Sequence, residues 1–189
     1  MVSKYYTIEE CLNMIEEPNR TISFKILREN IDLFSKVQGS TNNHQAWEGG
    51  YLDHVTEVMN IALLLYPSLN NARKLPFSLS DSLFILYLHD IEKPWRFETG
   101  DDGSWKNKDS FETKEQKQDF RERKLTEYGI ILNEEQENAL KYVEGEHKDY
   151  SDKKRIMGPL AAFCHLCDTW SARGWFGYPL KLEDPWKHS

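Results

Sequence analysis

Leu83-Phe84-Ile85-Leu86-Tyr87-Leu88-His89-Asp90-Ile91-Glu92-Lys93-Pro94 runs without a break through apolar side chains and then sets an imidazole beside a carboxylate. A carboxylate in apolar surroundings is costly unless a proton, a cation or a metal neutralises it. Neutral imidazole and carboxylate together make a mixed N/O donor pair, which suits first-row divalent metals. The stretch therefore reads as a buried helix that carries part of a metal site at its end. A lone His-Asp pair is as often a helix end with a local hydrogen bond, because short motifs recur by chance. The positions of the other histidines decide between these readings.

Working outward, Ser80-Asp81 is expected to cap this helix and Pro94 to stop it. Upstream, Gly49-Gly50 marks a tight turn into another helix. There Tyr51, Leu52, Val55, Val58, Met59, Ala62 and Leu65 recur at helical spacing, with His54 beside the stripe and Pro67 as the expected end. Thr7 and Glu10 have capping-box spacing. Ile22, Phe24, Ile26, Leu27, Ile31, Leu33 and Phe34 fit a second helix, and residues 39–43 read as loop.

Downstream, residues 95–99 and 104–106 flank Gly100-Asp101-Asp102-Gly103, the pattern of a small hairpin or an irregular loop. Residues 112–128 are strongly charged and read as a surface helix. Asn133 with Gln136 predicts a helix start that runs towards Glu146-His147, followed by a basic-leaning loop over 148–155. Residues 157–173 form a largely apolar helix bearing His165 and Asp168. The expected fold is all-α, a compact helical bundle with at most a small β-hairpin near 95–106. A single domain is expected over residues 1–189.

The chain has 189 residues, enough for a sizeable core, with a formal net charge of -7 and a pI near 5.4. That acidity disfavours broad binding to duplex nucleic acid, though not a local phosphate site. No apolar run approaches the roughly 18–20 residues that span a bilayer, so no membrane partner is expected. The start lacks the apolar core of a signal peptide. Cys11, Cys164 and Cys167 make no disulfide framework, and a cytoplasmic location is expected. The two close cysteines cannot complete a Cys₄ zinc site and read as small buried residues.

Of six histidines, His44, His54, His89, His147 and His165 lie at helix boundaries or apolar faces; the sixth is His188. His165 and Asp168 are three apart and share a helix face. Ligand-type residues on the inner faces of several helices are the build of a helical metal site.

The order His54, His89-Asp90, Asp168 resembles the H…HD…D pattern of the HD-domain metal-dependent phosphohydrolases. Gly49 to His54 resembles the Gly-Gly-x-Leu-x-His segment of one branch, which includes 3′-to-5′ exonucleases. His89-Asp90-Ile91-Glu92-Lys93 is similar to its His-Asp-Ile-Gly-Lys signature, with Glu92 in place of glycine. His165-x-x-Asp168 and Ser171-Ala172 are similar to its closing helix. The resemblance covers about residues 44–175.

It implies that His54, His89, Asp90 and Asp168 hold a divalent metal (Mn, Co, Ni, Mg, Fe or Zn). His147 and His165 are candidates for a second ion, a phosphate contact or a proton donor. The implied activity cleaves a phosphoester or phosphoanhydride of a nucleotide, another phosphorylated small molecule or a short single-stranded oligonucleotide. A metal-activated water would attack. Lys93 would neutralise phosphate charge, with His44, Arg155 and Arg173 as further substrate contacts. Asp90, Lys93 and Glu92 are the candidate catalytic residues; Asp53 and Glu146 are further candidates to orient water. Trp47, Trp95 and Trp170 could stack a base, although core packing is the commoner use. Two alternatives stay open: a dinuclear-iron oxygenase, and a non-catalytic nucleotide-binding domain.

Overall fold

A computed structural model describes residues 4–41, 43–100, 105–179 and 184–187. The loop foreseen at residues 101–103 and the terminal His188 lie outside the described residues. The chain is mostly helical. Helices α1 (Ile8–Asn13), α2 (Asn19–Phe34), α3 (Gly50–Ala72) and α4 (Leu79–Leu88) come first, then the short α5 (Lys93–Arg96). Strands β1 (Phe97–Thr99) and β2 (Trp105–Asn107) pair antiparallel, Phe97 opposite Asn107 and Thr99 opposite Trp105. Helices α6 (Lys114–Glu127), α7 (Glu134–Tyr142) and α8 (Pro159–Thr169) follow, and a π-helical turn, Trp170–Gly174, continues α8. The all-α expectation with one small hairpin therefore holds. Among the described residues no helix is long and apolar enough to cross a membrane.

The apolar run 83–88 explains the layout. A helix that is hydrophobic on every side has to be central. Leu83, Phe84, Ile85, Leu86 and Leu88 are fully buried. Helix α4 packs against α1, α2, α3, α7 and α8, so the residues at its end are delivered into the interior.

Local chemistry sets the helix boundaries. Thr7 forms its capping box with Glu10, and Asn133 forms one with Gln136. Gln136 Nε2 also donates to Asp81 Oδ1 at 2.7 Å, which ties α7 to the first turn of α4. Asn133→Ala is expected to cost about 1 kcal/mol, read by urea denaturation. A loss below about 0.3 kcal/mol would show that the cap is idle.

Four expectations on boundaries need correction. The cap of α4 is Ser78, whose Oγ accepts from Asp81 N at 3.0 Å; Ser80 Oγ instead accepts from Glu16 N. Helix α3 continues through Pro67 to Ala72. The proline removes one helical donor, but the extension is held by Tyr66 Oη donating to Phe77 O and by Asn70 Oδ1 accepting from Leu75 N. Pro94 does not stop α4; it sits in the first turn of α5, where a missing N–H costs nothing. Helix α7 ends at Tyr142 rather than near His147, because Gly145 turns the chain at φ 106.

Candidate metal centre

The floor of the site is the first turn of α3, and its glycines allow the close approach there. A side chain on Gly50 would overlap the Gln45 carbonyl, whose oxygen also accepts from Gly39 N at 2.9 Å. Gly49 takes the left-handed φ of 78 that opens the helix. The 39–45 loop is thereby pressed onto α3, and the His44 ring lies 4.9 Å from that of His54.

His54 from α3, His89-Asp90 from the end of α4 and Asp168 from α8 converge. His54 Nε2 is 3.2 Å from His89 Nε2 and 3.2 Å from Asp168 Oδ1. His89 Nε2 is 3.2 Å from Asp90 Oδ2 and 3.7 Å from Asp168 Oδ1. His54 Nε2 is 3.5 Å from Asp90 Oδ2. A tetrahedral ion with bonds of about 2.0–2.1 Å has ligand edges of about 3.3 Å, so the His54, His89 and Asp168 atoms fit three of its corners. His54, His89 and Asp168 offer donor atoms that all lie within 4.8 Å of one another, a buried group that could hold a metal ion. Asp90 contacts both histidines but stands outside that mutual set, and Lys93 Nζ pairs with its Oδ2 at 2.5 Å.

The imidazoles are held from behind, as metal-binding histidines are. His89 Nδ1 donates to Leu86 O at 2.7 Å, which leaves Nε2 facing the cluster. His54 Nδ1 lies 3.3 Å from Ser171 Oγ, and that oxygen accepts from Gln45 Nε2 at 3.3 Å. The π turn after α8 places Ser171 there.

Electrostatics separate the two histidines. Burial lowers the His54 pKa. Burial also opposes charge on His89, but the carboxylates of Asp90 and Asp168 outweigh it and raise His89 to about 10. Against their own burial, Asp90 is held well below the carboxylate range by His89 and Lys93, and Asp168 by His54 and His89. Burial and the nearby Lys93 charge push His44 down to about 3, so its ring is neutral at pH 7.

The remaining expected residues are placed as follows. Glu92 is 1 % exposed and accepts from Arg121 Nε and Nη2 at 3.3 and 3.2 Å. His147 and His165 both come near Gly145, where a Cβ would lie 3.9 Å from His147 Nε2 and 3.6 Å from His165 Cε1. His165 Nδ1 bonds to Val143 O, and neither histidine joins the mutual donor group. Arg155 and Arg173 are exposed. Asp53 accepts from Trp47 Nε1, and Glu146 accepts from Met157 N. Trp95 is half-buried and packs edge-on against Phe34.

Sequence reasoning named Ser171 only as part of the closing-helix motif, and it missed Gln45, Arg121 and Lys117. A signal for the last two exists: Lys117, Arg121 and Leu125 repeat every fourth residue, so one face of the charged helix carries two cations and an apolar anchor. Lys117 is depressed by partial burial and by the nearby Arg96 and Lys93 charges, with Glu144 and Glu92 opposing. A basic group thus borders the metal-type cluster. Comparison with models of protein families, with characterised proteins and with solved structures finds no match to this chain.

Proposed function

We propose that this chain is a metal-dependent phosphohydrolase of the HD-domain type. Its substrate would be a nucleotide, another phosphorylated small molecule or a short single-stranded oligonucleotide. One observation carries the reading: His54, His89 and Asp168, from three parts of the chain, meet with their donor atoms 3.2 to 3.7 Å apart, and Asp90 contacts both histidines. His54, His89, Asp168 and Asp90 would hold the cation. A bound divalent ion would polarise a phosphoryl oxygen and lower the pKa of a coordinated water.

The chain's own residues supply the rest. Lys93, Arg96 and Lys117 set positive charge beside the cluster and draw in an anionic substrate. His44 is neutral, and its buried Nε2 has no hydrogen-bond partner among the described residues, so it is a candidate to accept a hydrogen bond from substrate or water. Glu92 is engaged by Arg121, and we assign it to holding α6 rather than to proton transfer. Ser171 touches His54 but is fully buried, so it positions that ring and is no nucleophile. Direct attack by water follows, with no covalent enzyme intermediate.

A second reading draws on Lys93. Its ammonium already neutralises Asp90, as a bound cation would, which suits a non-catalytic nucleotide-binding domain. Elemental analysis of the purified protein separates the two. It is followed by phosphate-release assays over nucleotides with Mn²⁺, Co²⁺, Ni²⁺, Mg²⁺, Fe²⁺ or Zn²⁺. Stoichiometric metal with metal-dependent phosphate release is the expected result. Nucleotide binding without metal or turnover would favour the second reading.

A further inference from the structure

Three residues beyond His54, α3 carries a carboxyl group that the metal site does not use. Glu57 is 2 % exposed, and its buried Oε2 has no hydrogen-bond partner among the described residues. It lines a cavity of about 350 Å³ together with Leu64, Trp175, Asp184, Pro185 and Trp186. The cavity runs from Glu57 towards the C-terminal half of α3, whereas His54 meets the metal-type cluster at the helix's first turn.

The chemistry of the lining is specific. Trp175 and Trp186 meet edge to face, 5.4 Å between centroids at 67°. Indole faces attract cations. Asp184 Oδ1 already accepts from the backbone of Trp186 and Lys187 at 2.9 and 3.4 Å, whereas the Glu57 carboxyl makes no hydrogen bond or ion pair among the described residues. Burial and the neighbouring Asp184 and Asp53 charges raise Glu57 to about 8, and Lys187 opposes them only in part, so the carboxyl on its own is largely protonated at pH 7 and an ammonium ion beside it would draw it into the carboxylate form. Lys187 Nζ lies 4.0 Å from Asp53. An anion is repelled here. A neutral apolar molecule fills space but leaves a buried acceptor unsatisfied, which is costly.

We infer that this cavity is a binding site for a small organic ammonium ion. An N–H of the ligand donates to the Glu57 carboxylate, and its apolar body lies against Leu64, Pro185 and the two indoles. The volume falls in the range of small-molecule pockets. The inference does not depend on the phosphohydrolase reading.

The test uses the whole chain at about pH 9, where Glu57 is ionised, and follows tryptophan fluorescence during titration with phenethylammonium, with phenethyl alcohol as the neutral probe. Phenethylammonium is expected to bind at about 1 mM or tighter, and the alcohol at least about tenfold more weakly. Glu57→Gln keeps the shape, removes the charge and should weaken the cation at least about tenfold without changing alcohol binding. Leu64→Trp fills the cavity from a partly exposed position and should abolish both signals, which keeps the test decisive if the Gln variant folds poorly. Equal binding of cation and alcohol, or no response to phenethylammonium, would overturn the inference. So would wild-type affinity in Leu64→Trp.

Discussion

Asp168→Ala is expected to bind a divalent cation at least about a hundredfold more weakly than the parent chain, and to lose metal-dependent phosphate release with it. Lys93 already neutralises Asp90, so Asp168 is the carboxylate of the cluster that no lysine or arginine pairs with among the described residues. Removing it strips the charge that offsets a cation while leaving the imidazoles in place. A proton accompanies the ion. Burial disfavours a charged His89, yet Asp90 and Asp168 hold its pKa near 10, so at neutral pH the ring is protonated before metal arrives. A ligating imidazole is neutral. Metal uptake therefore expels a proton, and affinity rises by about tenfold per pH unit until His89 is neutral on its own.

The same shift fixes the sign for the metal-free fold. A histidine raised above its ordinary value stabilises fully below about 6.5, and that contribution fades as pH climbs towards 10. Calorimetry in two buffers of different ionisation enthalpy measures the proton count, and Asp168→Ala should release fewer protons because His89 has lost one carboxylate. Unchanged affinity in the variant, or no proton release in the parent, would contradict the assignment.

The site's main axis was legible because it rests on short-range rules. An all-apolar helix must be buried, and a carboxylate at its end must find a positive partner, so His89-Asp90 announced an interior site from sequence alone. His54 was legible for the same reason, since it lies beside an apolar stripe. What escaped was decided by tertiary partners. Ser78 rather than Ser80 caps α4, and the connection between α1 and α2 uses the Ser80 hydroxyl through Glu16 N. Pro67 stays inside α3 because the 70–77 connection bonds back to the helix. His147 and His165 both flank Gly145, outside the mutual group of His54, His89 and Asp168. The charged run at 112–128 read as solvated because composition averages over a helix. Only the face that repeats every fourth residue turns Arg121 inwards.

Arg121→Ala is expected to destabilise the fold by about 3–5 kcal/mol, far beyond the value of a surface ion pair. The Arg121 guanidinium is 14 % exposed and the Glu92 carboxylate 2 %. Arg121 Nη1 also donates to Leu140 O at 3.1 Å, so one side chain ties α6 to the end of α4 and to α7. Without it, Glu92 is left buried, unpaired and close to the Asp90 charge. Burial already raises the Glu92 pKa, Arg121 opposes that shift, and Asp90 adds to it. Deleting Arg121 raises it further. An acid whose folded pKa exceeds its unfolded value gains stability only where it is protonated. The penalty in Arg121→Ala should therefore be smallest below the ordinary glutamate range and grow as pH rises through the raised value. Glu92→Gln in the same chain should recover much of the loss near neutral pH, because an amide leaves no charge to bury. Urea melts of the parent, both single variants and the double variant at acidic and neutral pH supply the cycle. If Arg121→Ala stays within about 0.5 kcal/mol of the parent at neutral pH, α6 is not held by this pair. If its deficit is the same at both pH values, Glu92 does not take up the proton.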